Sequence, residues 1–341
     1  MKLSVTVIAR NEEEHLARLL PRLGFADEVI LVDTGSVDNT KTVAQRFGCK
    51  VFDFTWIDDF SAARNFALSK ARGEFVMWLD ADDILPQNTQ NRIMGWKKSP
   101  QTADTYFLKY RVGATVWFWR ERILRNCAKC KFKGFIHEAI KPFGKQVYLD
   151  CEVLHRPSAS HERRNLAIYR KQMENGRRFS LRDNYYFART LAENGLADEA
   201  FPVLRKFASQ KRADIADRVG AYKLLAGMAL NKGRLDDARK YLAKASLLLP
   251  PDSEACCLWG KSYFDEANYA FAAEWYCLAL CATGAHGFSD SYYREFLPNV
   301  QLSVCMWRLG DFRSARRYHL AARSVCPHDP VVLRNDEFFI K

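Results

Sequence analysis

The sequence lacks an apolar run long enough to span a bilayer, because its longest candidates, such as residues 221–230, are interrupted by Lys or Gly. The apolar stretch that opens the chain is too short for a secretory signal and leads directly into Arg10, Asn11 and three glutamates. Apolar residues still make up 48% of the 341 residues, so a folded chain of two or three domains is expected. These absences predict a cytoplasmic protein that contacts the inner membrane surface only peripherally, if at all.

A complete zinc-binding pattern is also absent. Cys127 and Cys130 have the spacing of half a site, but no second cysteine or histidine pair follows at ligand spacing, and a closed tetrahedral site needs four ligands. Ten cysteines would indicate disulfides in a secreted protein, yet nothing else in this sequence indicates secretion. We interpret the cysteines that follow a helical spacing as small core residues: Cys256, Cys257, Cys277 and Cys281.

Negative charge is scarce relative to positive charge, and the formal net charge is +12. The excess is concentrated between Lys109 and Lys145, which hold ten Lys or Arg but only the acids Glu121 and Glu138. This stretch predicts an anionic ligand or acceptor nearby, or else a solvated basic face. No aromatic-interleaved nucleic-acid motif accompanies it, so nucleic acid is the weaker alternative as a partner.

The first 85 residues alternate short apolar runs with helical patterns. Strands are predicted at residues 3–9, 28–33, 50–54 and 75–80, and helices at 12–23, 40–47 and 61–71. Ser61 is the expected N-cap of the last of these helices. Such alternation predicts a Rossmann-like α/β domain with a mainly parallel sheet. Ligands bind such sheets beyond the carboxyl ends of the strands.

Polar residues follow the ends of these predicted strands. Arg10, Asn11 and Glu12 follow the first strand, and Asp33 ends the second. The fourth strand runs into Asp80, Ala81, Asp82 and Asp83. Two carboxylates spaced by one residue can supply the oxygen ligands of a divalent ion that bridges a diphosphate.

The second half of the sequence carries an internal repeat. When Gly195, Gly233, Ala267 and Gly310 are aligned, an alanine stands five residues later in each of the four copies. The middle spacing of 34 residues is the tetratricopeptide period. We therefore predict a catalytic domain at residues 1–160, a helical connection at 161–183 and an all-α tetratricopeptide-like repeat domain at 184–341. The repeats are expected to bind the substrate that the catalytic domain modifies, or to pair two copies of the chain as a homodimer.

Four segments resemble family 2 glycosyltransferases of the GT-A fold: residues 7–13, 32–40, 59–67 and 78–83. Residues 134–138 and 153–155 resemble a subgroup with attached tetratricopeptide repeats, which includes the sublancin-type peptide S-glycosyltransferases.

The resemblance implies a role for each matched position on the donor side. Arg10, Asn11 and Glu12 would shape the nucleotide-base pocket, and Asp33 would accept hydrogen bonds from the base. Asp80 would contact the ribose or the metal, Ala81 would take part in binding the nucleotide-sugar, and Asp82 would bind the metal directly. Arg64 would lie near the nucleotide, or else be an ordinary surface arginine of its helix. Asp83 is left as a third, solvated acid.

On the acceptor side, the resemblance implies that Glu138 is the base that deprotonates the acceptor. His137 would orient Glu138 or contact the diphosphate. His155 would complete the metal shell as a nitrogen ligand, or else be a hydrogen-bonded buried histidine. Arg156 and Pro157 follow His155 where the subgroup carries an aromatic–glycine pair.

The resemblance therefore implies a glycosyltransferase that depends on Mn²⁺ or Mg²⁺ and transfers a sugar, with inversion, from a nucleotide diphosphate-sugar. A UDP-sugar is the favoured donor and a polypeptide side chain the favoured acceptor. In one alternative the acceptor is a lipopolysaccharide core or another surface glycan, and the basic stretch faces a phosphorylated acceptor or the membrane. The remaining alternatives are a modified nucleic acid as acceptor and a non-catalytic repeat scaffold.

Overall fold

The computed structural model describes residues 1–156, 162–282 and 288–339. It divides the chain into two compact units, Met1–His161 and Glu162–Lys341. Each unit has its own hydrophobic core, and each is described separately below.

The N-terminal unit alternates strands and helices. Its strands are β1 (Leu3–Ala9), β2 (Glu28–Asp33), β3 (Lys50–Asp53), β4 (Phe75–Asp80), β5 (Asp83–Ile84), β6 (Thr105–Val112), β7 (Val116–Arg125), β8 (Phe132–Lys133), β9 (Ala139–Ile140) and β10 (Gln146–His155). Its helices are α1 (Glu13–Leu19), α2 (Thr40–Arg46), α3 (Phe60–Lys70) and α4 (Gln87–Lys98), and a 3₁₀ turn covers Leu20–Arg22.

Eight of these strands form one sheet, in the order β3-β2-β1-β4-β7-β6-β10-β5, and β8 pairs with β9 as a separate two-stranded ribbon. The first four strands are parallel to one another, whereas β7 is antiparallel to both β4 and β6. Strand β1 is buried on both faces, as expected for the centre of a sheet covered by helices. The prediction of a mainly parallel α/β sheet is confirmed.

Two local predictions in this unit are wrong. The helix predicted over residues 12–23 ends at Leu19, and the 3₁₀ turn that follows contains Pro21, which lacks an N–H for the α-helical pattern. Helix α3 begins one residue earlier than expected, and its N-cap is Asp59 rather than Ser61. An Asp59 carboxylate oxygen accepts a hydrogen bond from the backbone N–H of Ala62 over 3.0 Å, which satisfies one free donor of the first turn.

The C-terminal unit is helical. Its helices are α5 (Glu162–Glu174), α6 (Leu181–Glu193), α7 (Ala197–Ala208), α8 (Ile215–Asn231), α9 (Leu235–Ser246), α10 (Ser253–Phe264), α11 (Tyr269–Cys281), α12 (Leu297–Arg308), α13 (Phe312–Val325) and α14 (Pro330–Phe339). A three-residue strand, β11 (Phe288–Asp290), and a π-helical turn over Tyr292–Phe296 precede α12.

The four aligned copies of the sequence repeat are the helix pairs α6–α7, α8–α9, α10–α11 and α12–α13. Gly195, Gly233, Ala267 and Gly310 each lie in the turn between the two helices of a pair, with φ of 77°, 69°, 60° and 84°. The alanine five residues later is fully buried in every copy, so the two helices of each pair can approach closely. The predicted helical-repeat domain is confirmed. No helix in the described ranges has the length and apolar content that a bilayer crossing requires.

Candidate active site

The carboxyl ends of β1, β2 and β4 meet at one edge of the sheet. Ala9 pairs with Asp33 in the register between β1 and β2, and Ile8 pairs with Asp80 in the register between β1 and β4. Because the three strands are parallel, the residues that follow them lie at the same edge. The sequence-predicted residues Arg10, Asp33 and Asp80 therefore lie at the same edge of the sheet.

Asn11 and Glu12 hold the loop after β1 against the loop after β2. The Asn11 backbone N–H donates to Ser36 Oγ over 2.9 Å, and its side-chain oxygen accepts from Val37 N–H over 2.8 Å. Glu12 N–H donates to Thr40 Oγ1 over 2.7 Å. Asn11 has φ of 55°, a left-handed conformation that asparagine tolerates better than most residues. Asn11 and Glu12 therefore fix the two loops to each other. Arg10 is exposed at the same edge.

Asp33 is buried, and its two carboxylate oxygens differ in their hydrogen bonding. Its Oδ2 accepts hydrogen bonds from the backbone N–H groups of Gly35, over 3.1 Å, and Ser36, over 3.0 Å. Its Oδ1 is buried and has no hydrogen-bond partner among the residues that the structure describes. An unpaired buried carboxylate oxygen is costly, so a ligand that donates a hydrogen bond to Asp33 would stabilise this site.

The second group of acids surrounds His155. Ligand atoms of Asp80, Asp83 and His155 all lie within 4.8 Å of one another. Nδ1 of His155 is 3.3 Å from a carboxylate oxygen of Asp82 and 3.3 Å from one of Asp83. Asp83, which the sequence left as a solvated acid, is instead 1% exposed. Its carboxylate faces into the site because the Asp80 backbone N–H donates to it over 2.9 Å.

The acids change the protonation of His155. Burial by itself lowers the pKa of His155, but its hydrogen bonds to Asp82 and Asp83 outweigh burial and raise that pKa to about 10. In the metal-free site the imidazole is therefore protonated near neutral pH. A metal ion would have to displace this proton, because histidine binds metals in its neutral form.

Arg64 links the acidic cluster to Glu138. Its Nη2 is 2.5 Å from Asp80 Oδ1, and its Nε is 2.5 Å from Glu138 Oε1. The Arg64 side chain is 9% exposed, and its guanidinium lies 4.9 Å from the centre of the Trp78 ring. The alternative of a surface arginine on α3 is wrong, because burial and two carboxylates hold this side chain in the site.

Arg122 and Tyr110 complete the cluster, and neither was singled out from the sequence. Arg122 is fully buried, with Nη1 3.3 Å from Asp83 Oδ2 and Nη2 3.7 Å from Asp80 Oδ2. Its guanidinium lies 3.8 Å from the centre of the Trp78 ring and 4.2 Å from that of Tyr110. The Tyr110 hydroxyl contacts Asp80 at 3.2 Å and Asp83 at 3.1 Å. Burial raises the pKa of Asp80, but the charges of Arg64 and Arg122 outweigh burial and hold that pKa well below its usual range.

Glu138 lies at the end of the turn that joins β8 to β9. It is buried at 9% exposure, and its backbone carbonyl accepts a hydrogen bond from Arg120 over 3.2 Å. The turn needs unusual backbone angles, with φ of 95° at Gly134 and 52° at His137. His137 is half-buried beside Glu138 in the same turn. The structure thus brings Glu138, Arg64, Asp80, Asp82 and His155 into one network, although 74 residues separate Arg64 from Glu138.

The network has an excess of negative charge that a divalent cation would neutralise. Its four carboxylates, on Asp80, Asp82, Asp83 and Glu138, face two guanidinium groups, on Arg64 and Arg122, which leaves a formal charge of −2 when His155 is neutral. Carboxylate oxygens and one imidazole nitrogen suit Mn²⁺ or Mg²⁺ better than a soft, thiolate-binding metal. Asp80, Asp82 and His155 therefore fit the metal-binding role that the resemblance implies, and Asp83 is a fourth residue at the same place.

Comparison with known proteins identifies this domain. Residues 4–162 match the model of glycosyl transferase family 2. The N-terminal unit is a family 2 glycosyltransferase domain. Relatives include a TPR repeat-containing protein of Synechococcus elongatus, 32% identical over 142 residues, with 41% of this chain and 35% of that protein covered. An uncharacterized glycosyltransferase of Rickettsia typhi is 36% identical over 93 residues, with 27% of this chain and 32% of that protein covered.

Similarity also extends to the poly(ribitol-phosphate) beta-N-acetylglucosaminyltransferase TarS of Staphylococcus aureus. That protein is 33% identical over 100 residues, with 26% of this chain and 18% of the TarS sequence covered. A crystal structure of TarS matches with a TM-score of 0.41 and 17% identity, covering 72% of this chain and 55% of that structure. The chain spans about a third of the length of the two relatives described above.

In this family 2 glycosyltransferase domain the predicted residues form two groups at the sheet edge. Arg10, Asn11, Glu12 and Asp33 form the first, and the network around Asp80 forms the second. Ala81 is buried between the acids. Sequence reasoning missed Arg122, Tyr110 and the burial of Asp83. Arg122 could have been noticed in the sequence because it is a charged residue immediately before the apolar pair Ile123 and Leu124.

Proposed function

We propose that this chain transfers a sugar from a nucleotide diphosphate-sugar, with a UDP-sugar as donor and Mn²⁺ or Mg²⁺ as cofactor. The observation that carries the proposal is that Arg64 contacts both Asp80, in the acidic cluster, and Glu138, the candidate base. The family match of residues 4–162 supports the reaction class.

On the donor side, the unpaired Oδ1 of Asp33 accepts a hydrogen bond from the nucleotide base. Asp80, Asp82 and His155 would hold the metal, and Asp83 contacts the Asp80 backbone N–H and His155 beside them. When bound, the metal offsets the negative charge that builds up on the departing diphosphate. Asn11 and Glu12 keep the two loops around the nucleotide in place.

On the acceptor side, Glu138 takes the proton from the attacking nucleophile. A bond then forms between the acceptor atom and the anomeric carbon, while the bond from that carbon to the diphosphate oxygen breaks and its electron pair leaves with the diphosphate. A single displacement of this kind inverts the anomeric configuration. Arg64 occupies Oε1 of Glu138, which leaves Oε2 to take the proton. His137, in the same turn, orients Glu138 or contacts the diphosphate.

The polypeptide acceptor remains a prediction from the sequence. The alternative of a surface glycan gains support from the similarity to TarS, whose name gives poly(ribitol-phosphate) as its acceptor. A surface glycan that carries phosphate groups is also favoured by four exposed lysines near Glu138: Lys129, Lys131, Lys133 and Lys141.

A donor screen tests the proposal. UDP-, GDP- and dTDP-sugars are incubated with the full chain in the presence of Mn²⁺, Mg²⁺ or EDTA, and thermal stabilisation and slow hydrolysis are measured. We expect one donor to stabilise the protein and to be hydrolysed only with metal. Asp82→Asn should reduce that hydrolysis by about 100-fold or more. Asp198→Asn, which changes a 91% exposed acid of the helical unit, is the matched control and should hydrolyse the donor normally.

If no donor binds with any metal, the catalytic proposal fails and a non-catalytic repeat scaffold becomes the better interpretation. Hydrolysis that persists unchanged in EDTA would overturn the role of the metal but keep that of Glu138.

A further inference from the structure

The structure separates the basic stretch 109–145 into two groups. Five of its ten cations form ion pairs within the N-terminal unit: Lys109, Arg111, Arg120, Arg122 and Arg125. The positive charge of these residues is already balanced by acids, and Arg122 is fully buried. The sequence-level excess of charge therefore resides in the other five residues, all lysines.

Four of those lysines lie on and beside the β8–β9 ribbon, and we refer to them as the lysine face: Lys129, Lys131, Lys133 and Lys141. All four are exposed. Within residues 1–156, as the structure describes them, no ion pair involves any of the four. The fifth, Lys145, belongs to the connection that enters β10.

The ribbon directs these lysines to one side. Phe132 and Ile140 are paired in its register, and both pack into a core with Trp78. Because side chains alternate along a strand, Lys131, Lys133 and Lys141 point away from that core. Extending the same register by one residue sets Lys131 beside Lys141 across the ribbon. Like charges directly opposite each other destabilise a strand pair, so folding alone does not favour this arrangement.

The ribbon also carries the candidate base. Glu138 immediately precedes β9, on the inner side, where it contacts Arg64. Lys133 is paired with Ala139, the residue next to Glu138. The ribbon therefore presents a carboxylate to the donor site and three lysines, Lys131, Lys133 and Lys141, to solvent. A chain that crosses the end of the ribbon at the 134–138 turn would contact both.

We infer that the lysine face is a docking surface for an acceptor chain that carries phosphate groups, an inference that rests on the proposed glycosyltransferase function. Charge complementarity identifies the partner as anionic. The set contains lysines but no arginine. Lysine binds phosphate oxygens as a point charge and, unlike the planar fork of arginine, does not require one fixed orientation of the anion. Lys131, immediately before β8, and Lys133, at its end, are two residues apart, which suits a partner with repeated charges rather than a single one.

Nucleic acid would be a different partner. Recognition of single-stranded nucleic acid combines cations with aromatic rings on which the bases stack. On the outer side of the ribbon, the residue between the lysines is Ala139, and the ribbon's aromatic residue, Phe132, is buried on the inner side. The lysine face therefore offers charge without stacking.

Binding of inorganic polyphosphate to the full chain tests the inference. The test variant is K129Q/K131Q/K133Q/K141Q. The matched control, K206Q/K211Q/K240Q/K244Q, removes the same number of charges from exposed lysines of the helical unit. We expect polyphosphate to bind the wild type, with an affinity that falls roughly tenfold or more between 50 and 200 mM salt. The test variant should lose at least tenfold in affinity, and the control should stay within twofold of the wild type.

Hydrolysis of the donor in the absence of acceptor distinguishes the two proposals. The test variant should hydrolyse the donor as the wild type does, because the lysines do not contact the donor site. If the wild type shows no hydrolysis, the proposed function fails. If hydrolysis is normal but both variants bind polyphosphate equally, the docking inference is overturned.

Two further arms address the alternatives. Poly-glutamate or a single-stranded oligonucleotide of equal charge that binds more tightly than polyphosphate would overturn the assignment to phosphate groups without bases. The smaller variant K131Q/K141Q, which removes the opposed pair, should unfold at a slightly higher temperature than the wild type. If it nevertheless binds polyphosphate as tightly as the wild type, the inference also fails.

Discussion

Arg64 contacts two carboxylates that lie far from it in the sequence, Asp80 at a separation of 16 residues and Glu138 at 74. All three side chains are at least partly buried. Removing one member of such a network leaves an uncompensated charge, which is more costly than the pair itself is stabilising. At the scale of single residues, the stability of the fold and the geometry of the site therefore depend on the same guanidinium group.

We expect Arg64→Met to lower the free energy of unfolding by about 3–5 kcal/mol, because it strands Asp80 and Glu138 in a buried site. Urea unfolding of the full chain, followed by tryptophan fluorescence, measures the effect. Arg46→Met, at an exposed position of α2, should change the unfolding free energy by less than about 0.5 kcal/mol. The double variant R64M/E138Q should be less destabilised than the sum of its single variants. Strict additivity would contradict the bridge.

At the start of β2, the hydrogen bonds of Glu28 should make the free energy of unfolding depend on pH. It accepts hydrogen bonds from Ser4 Oγ over 2.5 Å, Lys50 Nζ over 2.6 Å and the Arg72 backbone N–H over 2.6 Å. Burial raises the pKa of Glu28, but these bonds outweigh burial and lower that pKa from 4.5 to about 2. Because the folded-state pKa is the lower one, its stabilisation is present above pH 4.5 and is lost as the pH falls toward 2.

Glu28→Gln should therefore cost on the order of 3 kcal/mol at pH 7 and progressively less between pH 4.5 and 2. Urea unfolding at a series of pH values tests this. The exposed Glu14→Gln variant, whose side chain is 79% exposed, should show the pH dependence of the wild type. A constant difference between Glu28→Gln and the wild type over this range would disprove the assignment.

At the scale of elements, the helix pairs share one turn geometry, but one turn departs from the others in sequence. Ala267 has φ of 60° where the other three copies have glycine. A residue with a Cβ is strained in this left-handed region by roughly 1–2 kcal/mol. The third pair therefore carries a local strain that the other pairs avoid.

Ala267→Gly should stabilise the helical unit by about 0.5–1 kcal/mol, because relief of strain exceeds the extra flexibility of glycine in the unfolded chain. Gly233→Ala, at the aligned position of the second pair, should destabilise by about 1 kcal/mol. An added Cβ at Gly233 would meet no atom within 4 Å, so its cost is conformational alone. Thermal unfolding followed by far-UV circular dichroism measures both, and equal effects of the same sign would contradict this reading.

Small residues inside the helices have a different role. A Cβ at Gly260 of α10 would lie 2.8 Å from the Tyr276 ring of α11, whereas one at Gly227 of α8 would meet nothing within 4 Å. Gly260→Ala should destabilise by about 1–3 kcal/mol through overpacking. Gly227→Ala should stabilise by up to about 1 kcal/mol through helix propensity. The same thermal unfolding experiment compares the pair, and a stabilising Gly260→Ala would show that α10 and α11 are not in contact at this residue.

At the scale of the whole molecule, the donor-side residues all belong to the N-terminal unit. In hydrogen exchange of the full chain, UDP with Mn²⁺ should therefore slow exchange of the backbone amides at residues 33–36 and 80–83. Amides of the helix pairs α6–α7 through α12–α13 should exchange as before. Asp82→Asn should abolish the protection at both loops. Protection confined to the helix pairs would place nucleotide binding outside the sheet edge and contradict the proposed site.

The sequence alone determined the order of strands and helices in the first 85 residues, the residues at those strand ends and the four helix pairs. These features have local causes. Apolar residues recur with the period of a strand or a helix, and Gly195, Gly233 and Gly310 supply the left-handed turns that the pairs require. The carboxyl ends of parallel strands share an edge whatever the loops do, so Asp33 and Asp80 could be placed together from the pattern.

Only the tertiary structure decided which charges meet. Arg64 faces Glu138 because the β8–β9 ribbon packs its Phe132 and Ile140 against Trp78, a contact with no trace in local periodicity. For the same reason the sequence showed ten equivalent cations in residues 109–145, of which Arg122 is buried against Asp83 and four lysines are exposed at the surface. Ion pairing depends on distances of a few ångströms between distant segments, and those distances are set by the packing of the whole core.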